Sequence, residues 1–378
     1  MNSDVYITGI ETFLPNRAIG NDEMEEYLGR IDNVPSRARR VVLRNNGIRT
    51  RYYALEKGGV PTHNNAEIAE KSISKLFDAS FKRQDLELLA CGTASPDQLV
   101  PSHAAMVHGL LNLRPIEIAS FAGSCCASIQ ALKLCFLSIS SGNSRNAICS
   151  GSEMLSHWML AKYFQRETDC ERRLNANPIL GFEKDFLRWM LSDGSGAIRL
   201  EDKPNCAVPL KIEWIDIRSY ANEAESCMYV AADKNNEGRL SGYSRFDPEE
   251  WLTKSIFSAK QDTRILDKFI VQLGVRRLKE LETERRLCID KIDFFLPHLS
   301  SELFRKRIHK QLAEAGIGIP QDKWFTNLDR VGNVATASFI LMLDELRRFT
   351  DLQRGQTILV AVPESARFTY GYMLLTVC

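Results

Sequence analysis

The chain has 378 residues, 44% of them hydrophobic and 26% charged, and a net charge of +1. That length allows two domains, or two halves sharing an extended core, and the composition is that of a globular protein. The charge gives no reason to expect nucleic acid or an anionic membrane as a partner, and no apolar run approaches the length of a membrane span.

Val5 to Ile10 reads as a strand rather than a signal peptide, and Asn21 to Leu28 as an acidic helix start. Arg37, Arg39, Arg40, Arg44, Arg49 and Arg51 form a basic cluster. Its two readings are a solvated helix face and a dock for an anionic carrier or cofactor phosphate. An amphipathic helix over 66–78 and a buried strand from Leu86 to Thr93 follow, then a helix from Ser102 to Leu111.

Ile118 to Ala122 is a short apolar run that gives way to Gly123-Ser-Cys-Cys-Ala-Ser128. Ile129, Leu132 and Phe136 then recur at helical spacing, which predicts a helix starting near Cys125. A cysteine at such a junction meets unpaired backbone N–H groups and the positive end of the helix dipole, conditions that favour the thiolate. The rival reading is a small buried hydrophobe.

Asn146 to Ser150 reads as a buried strand opening into Gly151-Ser-Glu153, and residues 156–190, rich in Trp, Phe, Met and Arg, as an inserted helical cap. Ser192-Asp-Gly-Ser-Gly-Ala197 is a glycine turn without P-loop spacing or its lysine. The second half brings a strand at Leu210–Ile217, a surface loop around Ala231–Ser241 and helical pattern from Trp251 to Glu284. Ile292 to His298 is a strand ending at a histidine, followed by a helix carrying Arg305, Lys306, Arg307 and Lys310. Asn327-Leu-Asp-Arg-Val-Gly-Asn333 turns into a helix over Ala335–Leu346, and strands at Thr357–Val362 and Tyr372–Val377 close the chain. Strand, small-residue turn and helix around Cys125 are echoed around Asn333, a weak internal repeat. Ten scattered cysteines with no CxxC pair fit reduced thiols in a cytoplasm, and neither they nor the six histidines show metal-ligand spacing.

Taken together, these segments resemble the thiolase-fold condensing enzymes, and among them β-ketoacyl carrier-protein synthase III. Cys125-Cys-Ala-Ser-Ile-Gln-Ala-Leu132 is similar to the nucleophile pattern, Phe295-Leu-Pro-His298 to the strand delivering the histidine, and Asn327–Asn333 to the turn delivering the asparagine. Ser192–Ala197 and Gly47-Ile-Arg-Thr-Arg51 match as well, so the likeness spans nearly the whole chain. It implies an α/β, five-layered αβαβα fold of two pseudo-repeated halves, 1–200 and 201–378, the first carrying the cap. It implies catalysis by Cys125, His298 and Asn333, with Cys125 preferred over Cys126 because that register needs no gap. It also implies acyl thioesters of carrier protein or coenzyme A as substrates, no tightly bound cofactor, and a homodimer pairing strand Asn146–Ser150. Arg305, Lys306, Arg307 and Lys310 are the candidate carrier-docking residues.

The sequence departs from the family at three places. Leu299 follows the histidine where glutamine is usual, and no tryptophan stands between Asp32 and Arg44. The glycine-rich loop is replaced by Pro363-Glu-Ser-Ala-Arg-Phe368, where Ser365, Ala366 and Arg367 form the tunnel loop and the Ala366 N–H is the expected oxyanion donor. The overall pattern is most similar to ketosynthases that make dialkylresorcinol precursors. A hydrolase gives the Asn333 turn no role, and a degradative thiolase would carry a Cys-x-Gly turn near Pro363. A non-catalytic partner subunit usually lacks part of the triad.

Overall fold

The structure is a computed structural model that describes residues 3–36, 39–164, 187–235 and 237–378. Arg37 and most of the 156–190 segment lie outside the described residues. Nine strands form the principal sheet: β1 (Tyr6–Phe13), β2 (Leu88–Thr93), β3 (Glu117–Ala122), β4 (Asn146–Glu153), β5 (Gly194–Glu201), β6 (Leu210–Ser219), β7 (Phe294–Pro297), β8 (Thr357–Glu364) and β9 (Thr369–Val377). Six helices pack on it: α1 (Asn65–Ser74), α2 (His103–Leu111), α3 (Ala127–Ser140), α4 (Thr263–Glu284), α5 (Leu303–Glu314) and α6 (Ser338–Phe349).

The order β3-β2-β4-β5-β1 builds the first half. Strand β2 runs parallel to β3 and β4, whereas β5 is antiparallel to β4 and β1. The second half repeats this order. Strand β7 is parallel to β8 and to a single bridge at Trp324, and β9 is antiparallel to β8 and β6. The bridge at Trp324 thus stands where β3 stands in the first copy. The two copies join through two residue pairs, Tyr6 with Lys211 and Ile7 with Leu210.

Local sequence accounts for these elements. Strand β2 reads Leu-Leu-Ala-Cys-Gly-Thr and is buried at every position, as a parallel strand covered on both faces must be. Helix α1 starts at a capping box between Asn64 and Glu67, and α4 starts where the Asp262 carboxylate accepts from the Arg264 and Ile265 N–H groups. That cap breaks the helix expected from Trp251 onward into a short helix, Pro248–Thr253, a two-residue strand, Lys260–Gln261, and α4. The loop expected at Ala231–Ser241 contains a small hairpin, Ala232–Lys234 with Leu240–Gly242.

Helix α3 lies between the two halves, and glycines set its depth. A Cβ on Gly92 of β2 would stand 2.5 Å from the Ala127 carbonyl carbon, and one on Gly151 of β4 would stand 2.8 Å from Ser128 Cβ. On the opposite side, a Cβ on Gly371 of β9 would reach 2.7 Å from Ile129 Cγ2. Helix α6 shares this middle layer, with Ile340 closing on Gly196 of β5. Separate apolar clusters bury α1 and α2 on the outer face of the first half, and α4 and α5 on that of the second. The result is the five-layered arrangement.

The expected dimer-pairing strand needs correction. Strand β4 is internal, bonded to β2 on one side and β5 on the other. The edge of the first half is β3, whose residues are exposed or half-buried throughout.

Gly92→Ala should destabilise the fold by about 1–3 kcal/mol, because a methyl there strikes backbone rather than a movable side chain. Gly109 of α2 has open space around it, so Gly109→Ala should be neutral or stabilising by up to about 1 kcal/mol. Equal denaturant midpoints for the two variants would remove the close-contact argument.

Candidate active site

Three strand ends and one turn converge on a cavity with about 820 Å³ of atom-free space, counting the part open to solvent. Cys125, His298 and Asn333 all line it, and each is at least nine-tenths buried. Cys125 is the last residue but one of the link from β3 to α3, so the helix begins two residues later than the sequence suggests. Its sulfur lies 3.6 Å from Ser124 Oγ. Cys126 turns away: its Sγ donates to the Val362 carbonyl at 3.2 Å, and it does not line the cavity.

His298 follows β7 directly and its N–H donates to the Ala361 carbonyl at 2.8 Å, continuing the β7–β8 pairing by one residue. Asn333 is held by the glycine turn of the first half. Its N–H donates to the Met190 carbonyl at 3.0 Å, and the Ser192 N–H donates to the Asn333 carbonyl at 2.9 Å. Gly332 at φ 73° lets the chain pass Ser192, whose Cβ would lie 2.9 Å from any added Cβ. The Asn333 Oδ1 accepts from the Ala335 N–H at 3.0 Å, which leaves the amide's Nδ2 donors for the cavity.

Two buried carboxylates that the sequence reading gave no role shape this site. Glu153, at the end of β4, accepts from Ser95 Oγ at 2.7 Å, from the Ala94 N–H at 3.1 Å and from the Thr336 N–H at 3.3 Å. It therefore ties β2 to the turn after Asn333. Burial pushes its carboxyl up to about 7, against the hydrogen bonds that favour the anion. Glu364, at the end of β8, accepts from the Ala366 N–H at 2.6 Å and from the Arg367 and Thr369 N–H groups at 3.3 Å. A carboxylate closing a strand of small residues was the available signal for Glu153.

Glu364 overturns the expectation for the tunnel loop. The Ala366 N–H is engaged by a carboxylate and is not an oxyanion donor in this arrangement. Ser365 lines the cavity, whereas Ala366 and Arg367 do not. The Ala366 carbonyl instead accepts from the Cys227 N–H at 2.7 Å, docking the loop on the neighbouring strand Met228–Tyr229.

Electrostatics also depart from the helix-dipole expectation. Burial pushes the Cys125 thiol up to about 12; the Ser124 hydroxyl opposes this, and the Glu364 and Glu153 carboxylates add to it. Burial brings His298 down to about 4, so its imidazole is neutral near pH 7. A neutral thiol and a neutral imidazole face one largely apolar cavity, and thiolate formation there requires a proton acceptor at the moment of attack.

The described flanks of the cap, Leu155, Trp158, Leu187, Met190 and Leu191, wall the cavity, as does Leu299, the residue after His298. Of the candidate docking residues, Arg305 bonds Glu302 and Thr326, and Arg307 pairs with Asp267. Lys306 and Lys310 are exposed, Lys310 lying 3.7 Å from Glu314. In the N-terminal cluster, Arg39 pairs with Asp22 and Glu25, and Arg51 is fully buried, while Arg40 and Arg44 are exposed. The helix Arg39–Asn46 and the start of α5 flank one groove, and Phe304 lines both that groove and the cavity. No group of side chains that could hold a metal occurs among the described residues, nor a helix long and apolar enough to cross a membrane.

Residues 283–377 match the family model described as 3-oxoacyl-[acyl-carrier-protein] synthase III C terminal. The chain is 25% identical over 369 residues to a β-ketoacyl-[acyl-carrier-protein] synthase III of Clostridium perfringens, covering 97% of each chain. Among solved structures it is similar to AbyA1, a tetronic acid condensing enzyme, with TM-score 0.75, 20% identity and 98% and 99% of the two chains covered. It is also similar to OleA of Xanthomonas campestris, with TM-score 0.75, 17% identity and 99% and 98% covered. The fold is thiolase-like, and the chain is an acyl-transferring enzyme. Its C-terminal quarter matches the synthase III model, and nearly its whole length is similar to named β-ketoacyl synthases III.

A thiol raised to about 12 makes a testable statement about pH. Iodoacetamide should modify Cys125 at a rate that climbs about tenfold per pH unit, with no plateau near neutrality. Mass spectrometry localised to Cys125 reads this out. A plateau below about pH 7 would show a thiolate already formed in the resting protein.

Proposed function

We propose that the protein joins two acyl thioesters by Claisen-type condensation through an acyl-Cys125 intermediate. The observation that carries this reading is the meeting of Cys125, His298 and Asn333 in one largely apolar cavity. In the loading step, His298 takes the Cys125 proton as the sulfur attacks the thioester carbonyl. The tetrahedral intermediate then collapses, and the departing thiolate leaves with that proton. In the second step, loss of CO2 or of a proton from the second thioester leaves an enolate, whose oxygen receives hydrogen bonds from His298 and the Asn333 amide. The enolate carbon attacks acyl-Cys125, forms the carbon–carbon bond and expels the Cys125 thiolate. That thiolate takes a proton from solvent after decarboxylation, or from His298 where that residue accepted the proton lost in forming the enolate. Each enolate donor contributes about 3 kcal/mol by comparison with oxyanion holes elsewhere.

The finer reading is the cyclohexanedione-type condensation that precedes dialkylresorcinols. Two features support it. The loop at Pro363–Phe368 carries side chains where glycines would leave space. A second apolar pocket, walled by Val275, Leu278, Phe295, Leu312 and Tyr370, shares His298 and Ile270 with the first. Two pockets meeting at one histidine suit two long acyl chains. The named function of the Clostridium perfringens relative favours a second reading, fatty-acid initiation.

A carrier protein as acyl donor suits the groove whose two flanks carry Lys306, Lys310, Arg40 and Arg44, since carrier proteins are acidic. The exposed β3 edge, where Ile118 is 37% exposed, suits an isologous homodimer, which light scattering should report as twice the chain mass.

Supplying a medium-chain β-ketoacyl thioester with an enoyl thioester should give a cyclic dione, and Cys125→Ala should abolish loading while Cys126→Ala retains it. Acetoacetyl formation from acetyl-coenzyme A and malonyl carrier protein, with no ring product in the first mixture, would instead assign fatty-acid initiation. Loss of loading only in Cys126→Ala would reject Cys125 as the acylated residue. In the same assay, Lys306→Glu with Lys310→Glu should slow transfer from carrier-bound substrate several-fold and leave a small thioester mimic unaffected.

A further inference from the structure

The cavity walls are mostly apolar side chains, among them Trp158, Met190, Met228, Val230 and Ile270; besides Cys125, His298 and Asn333, the polar side chains lining it are Ser124, Ser300, Gln261 and Ser365. Gln261 sits on the two-residue strand that pairs with Met228–Tyr229, opposite Met228. It is 3% exposed, and both it and Ser365 line the cavity. The Gln261 Nε2 donates to Ser365 Oγ at 3.1 Å. The Gln261 Oε1 has no hydrogen-bond partner among the described residues. Cys227 lies nearby, but its thiol donates to the Asp262 carbonyl at 3.3 Å.

A buried carbonyl oxygen without a donor is costly, and native structures seldom leave one in place without a use. Ser365, having accepted from Gln261, keeps its own proton to give. The pair therefore presents an acceptor and a donor side by side at an apolar wall. A hydroxyl satisfies both at once, because it donates to Oε1 and accepts from Ser365. A saturated chain satisfies neither, and an amide N–H satisfies only the acceptor. Position favours the acyl chain over the carrier's arm: neither residue lines the groove proposed above for the carrier.

We infer that Gln261 and Ser365 form a subsite for a hydroxyl on the acyl chain, either an alcohol or the enol of a β-ketone. This deepens the acyl-thioester reading and rests on it. A site built to bond a hydroxyl discriminates strongly against the analogue lacking it, because its own polar groups are then left unpaired.

The test uses the full chain and N-acetylcysteamine thioesters of equal length: saturated, carrying one hydroxyl scanned along the chain, or carrying an isolated ketone. Acylation of Cys125 is followed by intact-protein mass spectrometry. For one hydroxyl position, kcat/KM for loading should exceed that of the saturated chain by at least about tenfold. Gln261→Leu and Ser365→Ala should each bring that ratio close to one, with a cooperative melt showing that the variant is folded. Should one variant fail to fold, the other and the unmodified chain decide. A ratio near one in the unmodified chain, a ratio untouched by both substitutions, or a preference for the ketone over the hydroxyl overturns the subsite. Loading of saturated chains with a ratio near one leaves the acyl-cysteine reading standing. Absence of loading by every thioester rejects both.

Discussion

Contact between one helix and the two halves of the principal sheet governs the rest of this molecule. Helix α3 is held so close to β2 and β4 that Gly92 and Gly151 have no room for a Cβ, and Gly371 meets Ile129 on the opposite side. The depth of that helix sets where Cys125 stands, because the cysteine is the last residue but one before the first turn. The mirror relation in the second half gives α6 the same duty toward the Asn333 turn. Two copies of one strand order then bring a thiol, an imidazole and an amide to a common point without any of the three being near another in sequence. Small residues are required there by contact, and a larger core side chain at any of them would move the reacting groups together with the helix.

The loops around the cavity are set by carboxylates that gather backbone N–H groups. Glu153 holds the ends of β2 and the turn after Asn333, Glu364 closes the β8–β9 loop, and Asp193 accepts from the Ala54 and Ser156 N–H groups at 2.7 and 2.8 Å. All three are buried, and burial raises each carboxyl above its usual range. Ionised, Glu153 and Glu364 each add a negative potential near a thiol that must lose a proton. For Cys125 that field acts in the same direction as desolvation. Rigidity of the loops is thus gained at some expense to thiolate formation, and the proton acceptor matters correspondingly more.

How much of this was legible in the sequence depends on how local each cause is. Motifs at strand ends were legible because small residues, a histidine or Gly332-Asn333 sit at fixed offsets from apolar runs. The choice of Cys125 over Cys126 came from the ungapped register against the family's nucleophile pattern; in the structure Cys125 lines the cavity and Cys126 bonds the Val362 carbonyl. The edge strand was misread although its signal was present. Glu117-Ile-Ala-Ser-Phe-Ala122 mixes polar and apolar residues, whereas Asn146–Glu153 is buried at nearly every position. The expected Ala366 donor failed for a reason invisible to motif comparison: a side chain two residues earlier folds back to take that N–H. Gln261 escaped notice because its importance lies in contact with Ser365, 104 residues away.

The helix-dipole expectation for Cys125 failed on magnitude. A helix end offers about 0.3–1 kcal/mol at an exposed site, and up to about 2 where partly buried. Desolvation of a fully buried ionisable group shifts its pKa by as much as 3–5 units, at about 1.4 kcal/mol each. Burial therefore wins, and the resting thiol keeps its proton. The same burial removes the proton from His298, so the two groups arrive complementary, one able to give and the other to accept. A cavity that made a thiolate in advance would hold an ion pair with the imidazolium in an apolar setting, at the desolvation cost of two charges. Keeping both neutral avoids that cost until a thioester carbonyl supplies a place for the negative charge. Later, a neutral imidazole can still donate through its ring N–H to an enolate oxygen, provided the proton taken in loading has left with the first thiol.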